Sequence, residues 1–390
     1  MIKKEEISNG VKKNIAILFP LIKSGGVFQY ANSIADSLIK YCDKFNYFIL
    51  HYGDADDFIK DKKAQLVLLD GTSNSIFDKI RTLLGRPSNK NKELLNSFNL
   101  DLIIIPCPLL LGLECKIPYI VSVPDIMHKY YPKFPEYSFK ERVKRDIIYK
   151  YSTRHSAFNV VDSKQGLEDL HKFYNVPRER IKTIPYIPSG SIYNYKEMSK
   201  ERAGEIIKKF NFNEKFLFYP AQFWYHKNHI RLVRALKLIE DDIQLVLVGN
   251  AEADKENYNK VMAIGGNIKH LGYVSDEEIA ALYKKATALV FPTLIGPTSI
   301  PPLEAMVFGA PVLCSNLFSM PEQIGDAGVL FNPFDEKDIA EKIKMVWRDE
   351  ELRERLTNNG YNKIKKLSLK NHSLQWEEVI DKILDNYGKY

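Results

Sequence analysis

Two parallel, doubly wound α/β domains are the fold class this sequence predicts, and three observations carry the prediction. The chain has 390 residues, too many for one ordinary hydrophobic core and suited to two domains of similar size. Short apolar runs alternate with amphipathic helical stretches between Asn14 and Phe331, the pattern of repeated βα units around a buried parallel sheet. A cluster of Pro185, Pro188, Ser189 and Gly190 interrupts this alternation as a linker.

In the first half, Asn14-Ile-Ala-Ile-Leu-Phe-Pro20 reads as a buried strand, and Lys23-Ser-Gly-Gly26 as a tight turn into a helix reaching about Cys42. Gly25 and Gly26 let backbone N–H groups approach a ligand closely, although a plain turn uses the same residues. Further strands are expected at Tyr47–His51, Gln65–Leu69, Leu102–Ile105, Tyr119–Val123, Phe158–Val161 and Ile181–Pro185. Asp54-Ala-Asp-Asp57 has the spacing of a metal-binding Asp-x-Asp, but acids just past a strand also favour a helix start, and that plainer reading is kept. Asp125 and His128 follow a strand end, where ligands of open α/β sheets bind. A packed histidine in a Tyr-rich loop fits the same pattern. Ser138–Arg154 reads as an amphipathic helix, and residues 128–154 hold eight Lys or Arg against three acids. That face is either simply solvated or lies on lipid headgroups. Ser163 opens the next helix after a strand ending at Asp162.

The second half repeats the pattern. Strands are expected at Lys215–Pro220, Gln244–Gly249, Lys269–Tyr273, Ala288–Phe291, Pro311–Cys314 and Gly328–Phe331. Ser275-Asp-Glu-Glu278 is a capping box. Lys227 lies in the loop beyond the first of these strands, and a helix follows from about Ile230. His226 and His229 have a spacing compatible with a metal, but no third ligand stands near them.

The chemistry is expected in Phe291-Pro-Thr-Leu-Ile-Gly-Pro-Thr-Ser-Ile-Pro-Pro-Leu-Glu304. A buried strand ends at Phe291; Thr298 or Ser299 offers a cap hydroxyl, and Pro301 and Pro302 fall in the first helical turn. Such a helix start presents N–H groups and positive dipole to a phosphate. Glu304 follows, either as a surface carboxylate or as an acceptor for sugar hydroxyls.

Composition narrows the function classes. Hydrophobic residues are 45% and charged residues 27% of the chain, the composition of a globular protein. Cys42, Cys107, Cys115 and Cys314 form no C-x-x-C pair, which favours a reducing compartment without structural zinc. Residues 1–10 lack the apolar core of a signal peptide, and the longest apolar run, Leu102–Leu113, is interrupted by Pro106 and Pro108, so a cytoplasmic protein is expected. Residues 1–190 carry 29 Lys and Arg against 21 acids, whereas the remainder carries 27 against 28. No nucleic-acid module accompanies this basicity; anionic lipid or a phosphorylated acceptor suits it better.

Four segments, Trp224-Tyr-His-Lys-Asn-His229, Leu245-Val-Leu-Val-Gly249, His270-Leu-Gly-Tyr-Val274 and Gly296–Ala305, resemble in order and spacing the C-terminal half of family 4 glycosyltransferases. Pro124-Asp-Ile-Met-His128, Tyr131-Pro132 and Glu141-Arg142 resemble the N-terminal half of a subset that builds bacterial surface polysaccharides, including mannosyl- and rhamnosyltransferase-like members, and Ser24-Gly-Gly26 is similar to the family's first glycine loop. The resemblance runs from residue 14 to about 367.

It implies a GT-B fold, with a Rossmann-like acceptor-side domain at 1–190, a donor-binding domain at 191–369 and a terminal helix at about 370–390 returning to the first. It also implies retaining transfer of a hexose from a donor such as GDP- or UDP-hexose to a saccharide or lipid-linked acceptor, with no cofactor or metal required; the basic first half adds the expectation of a peripheral place on the inner face of the cell membrane. Lys227 then neutralises the diphosphate and Glu304 takes the ribose hydroxyls. His128 meets sugar or acceptor with Asp125 orienting it. The rest of the expected donor site is Gly25, Gly26, Gln222, Asn228, Gly249, Tyr273, Val274, Gly296, Thr298, Ser299 and Ile300. Gln222 stands where many members have arginine, and Gly296 where many have a second glutamate. These departures leave room for a catalytically silent saccharide-binding or partner subunit of the same fold.

Overall fold

The computed structural model describes residues 12–21, 25–53, 63–70, 91–115, 117–296 and 298–386. Ser24, the Asp54–Asp57 segment and Pro297 lie outside the described residues.

Seven strands form the first sheet: β1 (Asn14–Leu18), β2 (Asn46–Tyr52), β3 (Gln65–Leu69), β4 (Leu102–Ile105), β5 (Tyr119–Ser122), β6 (Phe158–Val161) and β7 (Ile181–Thr183). All its pairings are parallel, in the order β3-β2-β1-β4-β5-β6-β7, with Ile17 opposite Ile49 on one side and Ile104 on the other. The second sheet comprises β8 (Phe216–Pro220), β9 (Gln244–Val248), β10 (Ile268–His270), β11 (Ala288–Phe291), β12 (Val312–Ser315) and β13 (Gly328–Phe331). It is also fully parallel, in the order β10-β9-β8-β11-β12-β13. In each sheet the strand order reverses once, at β1/β4 and at β8/β11, and a crevice opens at the carboxyl ends of such strands.

Strand alternation sends side chains to both faces of the first sheet. Ile15 and Ile17 join the layer containing α1 (Gly26–Tyr41), while Ala16 and Leu18 pack with Leu95, Leu111 and Cys115 on the other side. Such strands, buried on both faces, explain why most appear in the sequence as unbroken apolar runs. Their observed ends fall within three residues of the expected ones, mainly because loops take over at Phe19, Val123, Ile184 and Leu271.

Short polar residues open the helices. Ser138 caps α2 (Phe139–His155), accepting from Glu141 N–H, and Asn228 precedes α3 (His229–Leu236). Ser275 and Glu278 form the expected capping box at the start of α4 (Asp276–Lys285), and Ser299 precedes α5 (Ile300–Phe308). The last helix, α6 (Leu369–Asp385), crosses to the first sheet and buries Trp376, Val379, Ile380 and Ile383 against α1 and β1. Trp376 Nε1–H donates to His372 Nε2 at 3.2 Å, and His372 Nδ1 lies 2.8 Å from Ser37 Oγ. Burial pushes His372 down to about 3, so it stays neutral and serves both neighbours.

Candidate functional site

The carboxyl ends of the two sheets face a cavity of about 490 Å³, within the usual size range of small-molecule sites. Gly25, Gly26, Tyr30, Asp125 and Tyr186 line it from the first sheet and the linker. Gln222, His226, Lys227, Phe291, Gly296, Thr298, Ser299 and Ile300 line it from the second.

Two helices begin at this cavity. Gly25 precedes α1 without a side-chain cap, and a Cβ at Gly25 or Gly26 would meet nothing within 4 Å. The glycines therefore leave the first amides of α1 open to a ligand. At α5 the expected hydroxyl cap is absent. An N-cap oxygen accepts from the second or third helical N–H, and here Pro301 and Pro302 occupy those positions. Ser299 N–H instead donates to Gln323 Oε1 at 2.8 Å, and the Thr298 hydroxyl donates to Asp162 at the end of β6. Among Thr298, Ser299 and Ile300 of the expected donor site, Ile300 presents an N–H with no protein partner among the described residues.

Lys227 is the central charge. It ends a short turn after β8, and its ammonium lies 5.4 Å from the centre of the Phe291 ring, with no hydrogen-bond or ion-pair partner among the described residues. Burial lowers it to about 8, against the opposing pull of Asp125 and Glu136. An unpaired ammonium on a cavity wall between helix starts is suited to an anion. Gln222 also lines the wall, its Oε1 accepting from Trp224 Nε1 at 2.7 Å.

Other expected site residues stand elsewhere. His128 is buried below its loop, where Nε2 meets Tyr174 OH at 2.9 Å and Asp146 Oδ1 at 3.1 Å. Burial lowers its pKa despite Asp146, and the ring packs edge-on against Tyr149. It does not line the cavity. Asp125 does, but its Oδ1 accepts Met127 N–H at 3.0 Å and does not orient His128.

Glu304 likewise does not line the cavity. Its Oε1 accepts from Ser189 Oγ at 2.5 Å and its Oε2 from Tyr283 OH on α4 at 3.0 Å. Burial raises its pKa, opposed by those two hydroxyls. In this arrangement it ties the linker to α4 and α5, and its oxygens are already engaged.

Asn228 is buried, its amide donating to Pro292 O and Pro333 O, so it braces two loops. At Gly249 a Cβ would lie 2.3 Å from Ala221 O, so glycine here permits close packing of two strand-end loops. Val274 is buried and Tyr273 is 95% exposed, both outside the cavity lining. His229 stacks on Phe223 and packs at a tilt against Tyr219 in the core; no cluster of three His, Cys, Asp or Glu that could hold a metal occurs among the described residues.

Sequence reasoning passed over four participants. Tyr30 and Tyr186 pack together at 4.8 Å on the cavity wall. Asp162 accepts from Thr298 between the two sheets, and Glu136 accepts from both His226 N–H and His226 Nδ1, at 3.1 and 2.9 Å. Asp162, an acid ending a strand, carried a signal; Glu136, within a basic loop, did not.

Residues 203–363 match the sequence profile of the glycosyl transferases group 1 family. O-antigen chain mannosyltransferase B of Escherichia coli is 28% identical over 254 residues, covering 62% of this chain and 65% of that protein. O-antigen chain mannosyltransferase RfbU of Salmonella typhimurium is 28% identical over 229 residues, covering 58% of this chain and 60% of that protein. The chain thus spans less than two thirds of the length of either relative. Anabaena HepE, solved with UDP and glucose, superposes with a TM-score of 0.75 at 16% identity, covering 95% of this chain and 100% of that one. The fold is GT-B.

Proposed function

We propose, from the premise that residues 203–363 form a glycosyl transferases group 1 domain, that this protein moves a hexosyl group from a nucleotide-diphosphate sugar to a saccharide or lipid-linked oligosaccharide in cell-surface polysaccharide assembly. The observation that carries the proposal is the unpaired Lys227 ammonium in a cavity shared by both sheets. In the transfer, the bond from the anomeric carbon to the donor phosphate oxygen breaks as an acceptor hydroxyl oxygen bonds to that carbon, and the hydroxyl proton passes to the leaving diphosphate oxygen. Negative charge grows on the leaving diphosphate. A preorganised cation and helix amides facing that charge stabilise the transition state more than the ground state. We assign this role to Lys227, Ile300 N–H and the open start of α1, all of which line the cavity, and propose that no divalent metal is needed. Retention of configuration is proposed on the family resemblance alone. The mannosyltransferase relatives support an O-antigen-like acceptor.

A panel of UDP- and GDP-hexoses, assayed for transfer with and without EDTA, tests the reading. Transfer from one donor that survives EDTA is expected. Binding without turnover from any donor would favour a silent subunit, and absence of any nucleotide binding would refute the site.

The outer face of α2 supports a membrane-side location. Phe139, Val143 and Ile147 are 71%, 42% and 38% exposed, and their four-residue spacing aligns them on one side of the helix. Lys140, Lys144, Lys150 and Arg154 are exposed beside them. The helix's acids are engaged by basic residues, Glu141 with Lys144 and Arg145, and Asp146 with Lys129. An apolar stripe bordered by cations suits an anionic lipid surface. No helix of the described residues is long and apolar enough to cross a membrane. Flotation with acidic vesicles should show binding at low salt that weakens at high salt; absence of binding at low salt would remove this part of the proposal.

A further inference from the structure

We infer that His226 is a second ligand of the donor diphosphate, held by Glu136 from the opposite sheet unit and protonated when the anion binds; the inference rests on the donor-site reading above. Glu136 Oε1 accepts from both His226 N–H and His226 Nδ1. An ionised carboxylate only accepts hydrogen bonds, so Nδ1 carries the hydrogen and Nε2 is the ring's free nitrogen. His226 lines the cavity beside Lys227, and no protein group bonds Nε2 among the described residues. Glu136 Oε2 is buried and has no partner among the described residues, so this carboxylate brings negative charge that a neutral imidazole does not balance.

The pairing spans the cleft. The loop carrying Glu136 stacks Tyr131 on Phe134 at 4.5 Å and sets Phe134 against Tyr225 at 5.2 Å, while Tyr130 meets Phe318 at 5.2 Å. Glu136 can therefore orient His226 only when the two sheet units adopt this arrangement.

The local charges explain why a proton arrives with the ligand. Burial and Lys227 lower the His226 pKa, while Glu136 and Asp125 oppose them, leaving it neutral in the free protein. His229, behind the turn, is neutral, and Thr293 and Leu294, packed on the His226 carbonyl, bring no charge. A nucleoside diphosphate adds at least two negative charges beside a single ammonium, since Gln222 supplies none. Opposite charge within contact favours the protonated imidazole. One proton passes from solvent to Nε2 on binding and returns on release. The imidazolium then supplies, through the domain interface, charge absent from position 222.

The test is calorimetry of UDP and GDP binding to the full chain at pH 7.0, in two buffers of different ionisation enthalpy. Wild type should take up more protons than His226→Gln, and that variant should bind about ten-fold more weakly. Glu136→Gln should also reduce proton uptake. Thermal midpoints close to wild type exclude a folding defect. Equal uptake, or equal affinity, in wild type and a folded His226→Gln overturns the inference while leaving the donor site intact. A wild type that binds neither nucleotide overturns the donor-site reading as well.

Discussion

Replacing Lys227 with methionine should separate binding from folding, because the ammonium has a job in the site and none in the core. Its nitrogen has no anionic partner among the described residues, and burial already lowers its pKa to about 8. Removing it should not weaken the fold. A desolvated, unpaired charge is a cost to the folded state, so the thermal midpoint should stay the same or rise near neutral pH. Nucleotide binding should suffer, since a charge-assisted contact to phosphate is worth about 1.5–3 kcal/mol, or roughly a ten- to hundred-fold loss of affinity. The pH dependence gives an independent sign. Bound diphosphate raises the lysine's pKa, so wild-type affinity should fall as pH rises past about 8, where half of the free protein has lost the proton. Lys227→Met should lose the part of that dependence that lies above about pH 8, whereas any slope nearer pH 7 belongs to His226. Calorimetric titrations with UDP and GDP between roughly pH 7 and 9.5, paired with thermal melts, measure both effects. Unchanged affinity in the variant, or a wild-type slope above about pH 8 that persists undiminished in it, would refute the assignment.

Glu304→Ala leaves the Ser189 and Tyr283 hydroxyls without their acceptor, so a stability loss of about 1–3 kcal/mol is expected in chemical denaturation; donor affinity falling with no change in stability would instead indicate a ribose contact. Burial raises Asp162 to about 7 from a reference of 3.8, so its folded form prefers the proton, and this favourable contribution is present below about 4 and lost as pH rises towards 7. Asp162→Asn should reduce the fall in thermal midpoint across that window, and an unchanged profile would exclude the titration. Trp376→Ala should cost about 3–5 kcal/mol, because the ring is fully buried between α6 and the first sheet; a loss below about 1 kcal/mol would mean that α6 contributes little there.

Most of the architecture follows from local sequence. β3, β4, β6, β11 and β13 occupy the expected residues because a strand buried on two faces has to be apolar throughout. Ser138, Ser163 and Ser275 cap helices where their short hydroxyls reach nearby N–H groups, an interaction contained within four residues. Lys227 and the two glycines of α1 reach the cavity because strand ends at the switch point place their loops there. Side-chain direction within those loops was decided at longer range. Glu136 meets His226 across 90 residues, Ser189 meets Glu304 across 115, and Thr298 meets Asp162 across 136. Similarly, Tyr174 and Asp146 draw His128 away from the cavity, leaving His226 as its histidine among the described residues. Apolar periodicity and capping record short-range forces and can be read along the chain; which polar atom satisfies a buried partner depends on groups brought together only when both sheets have formed.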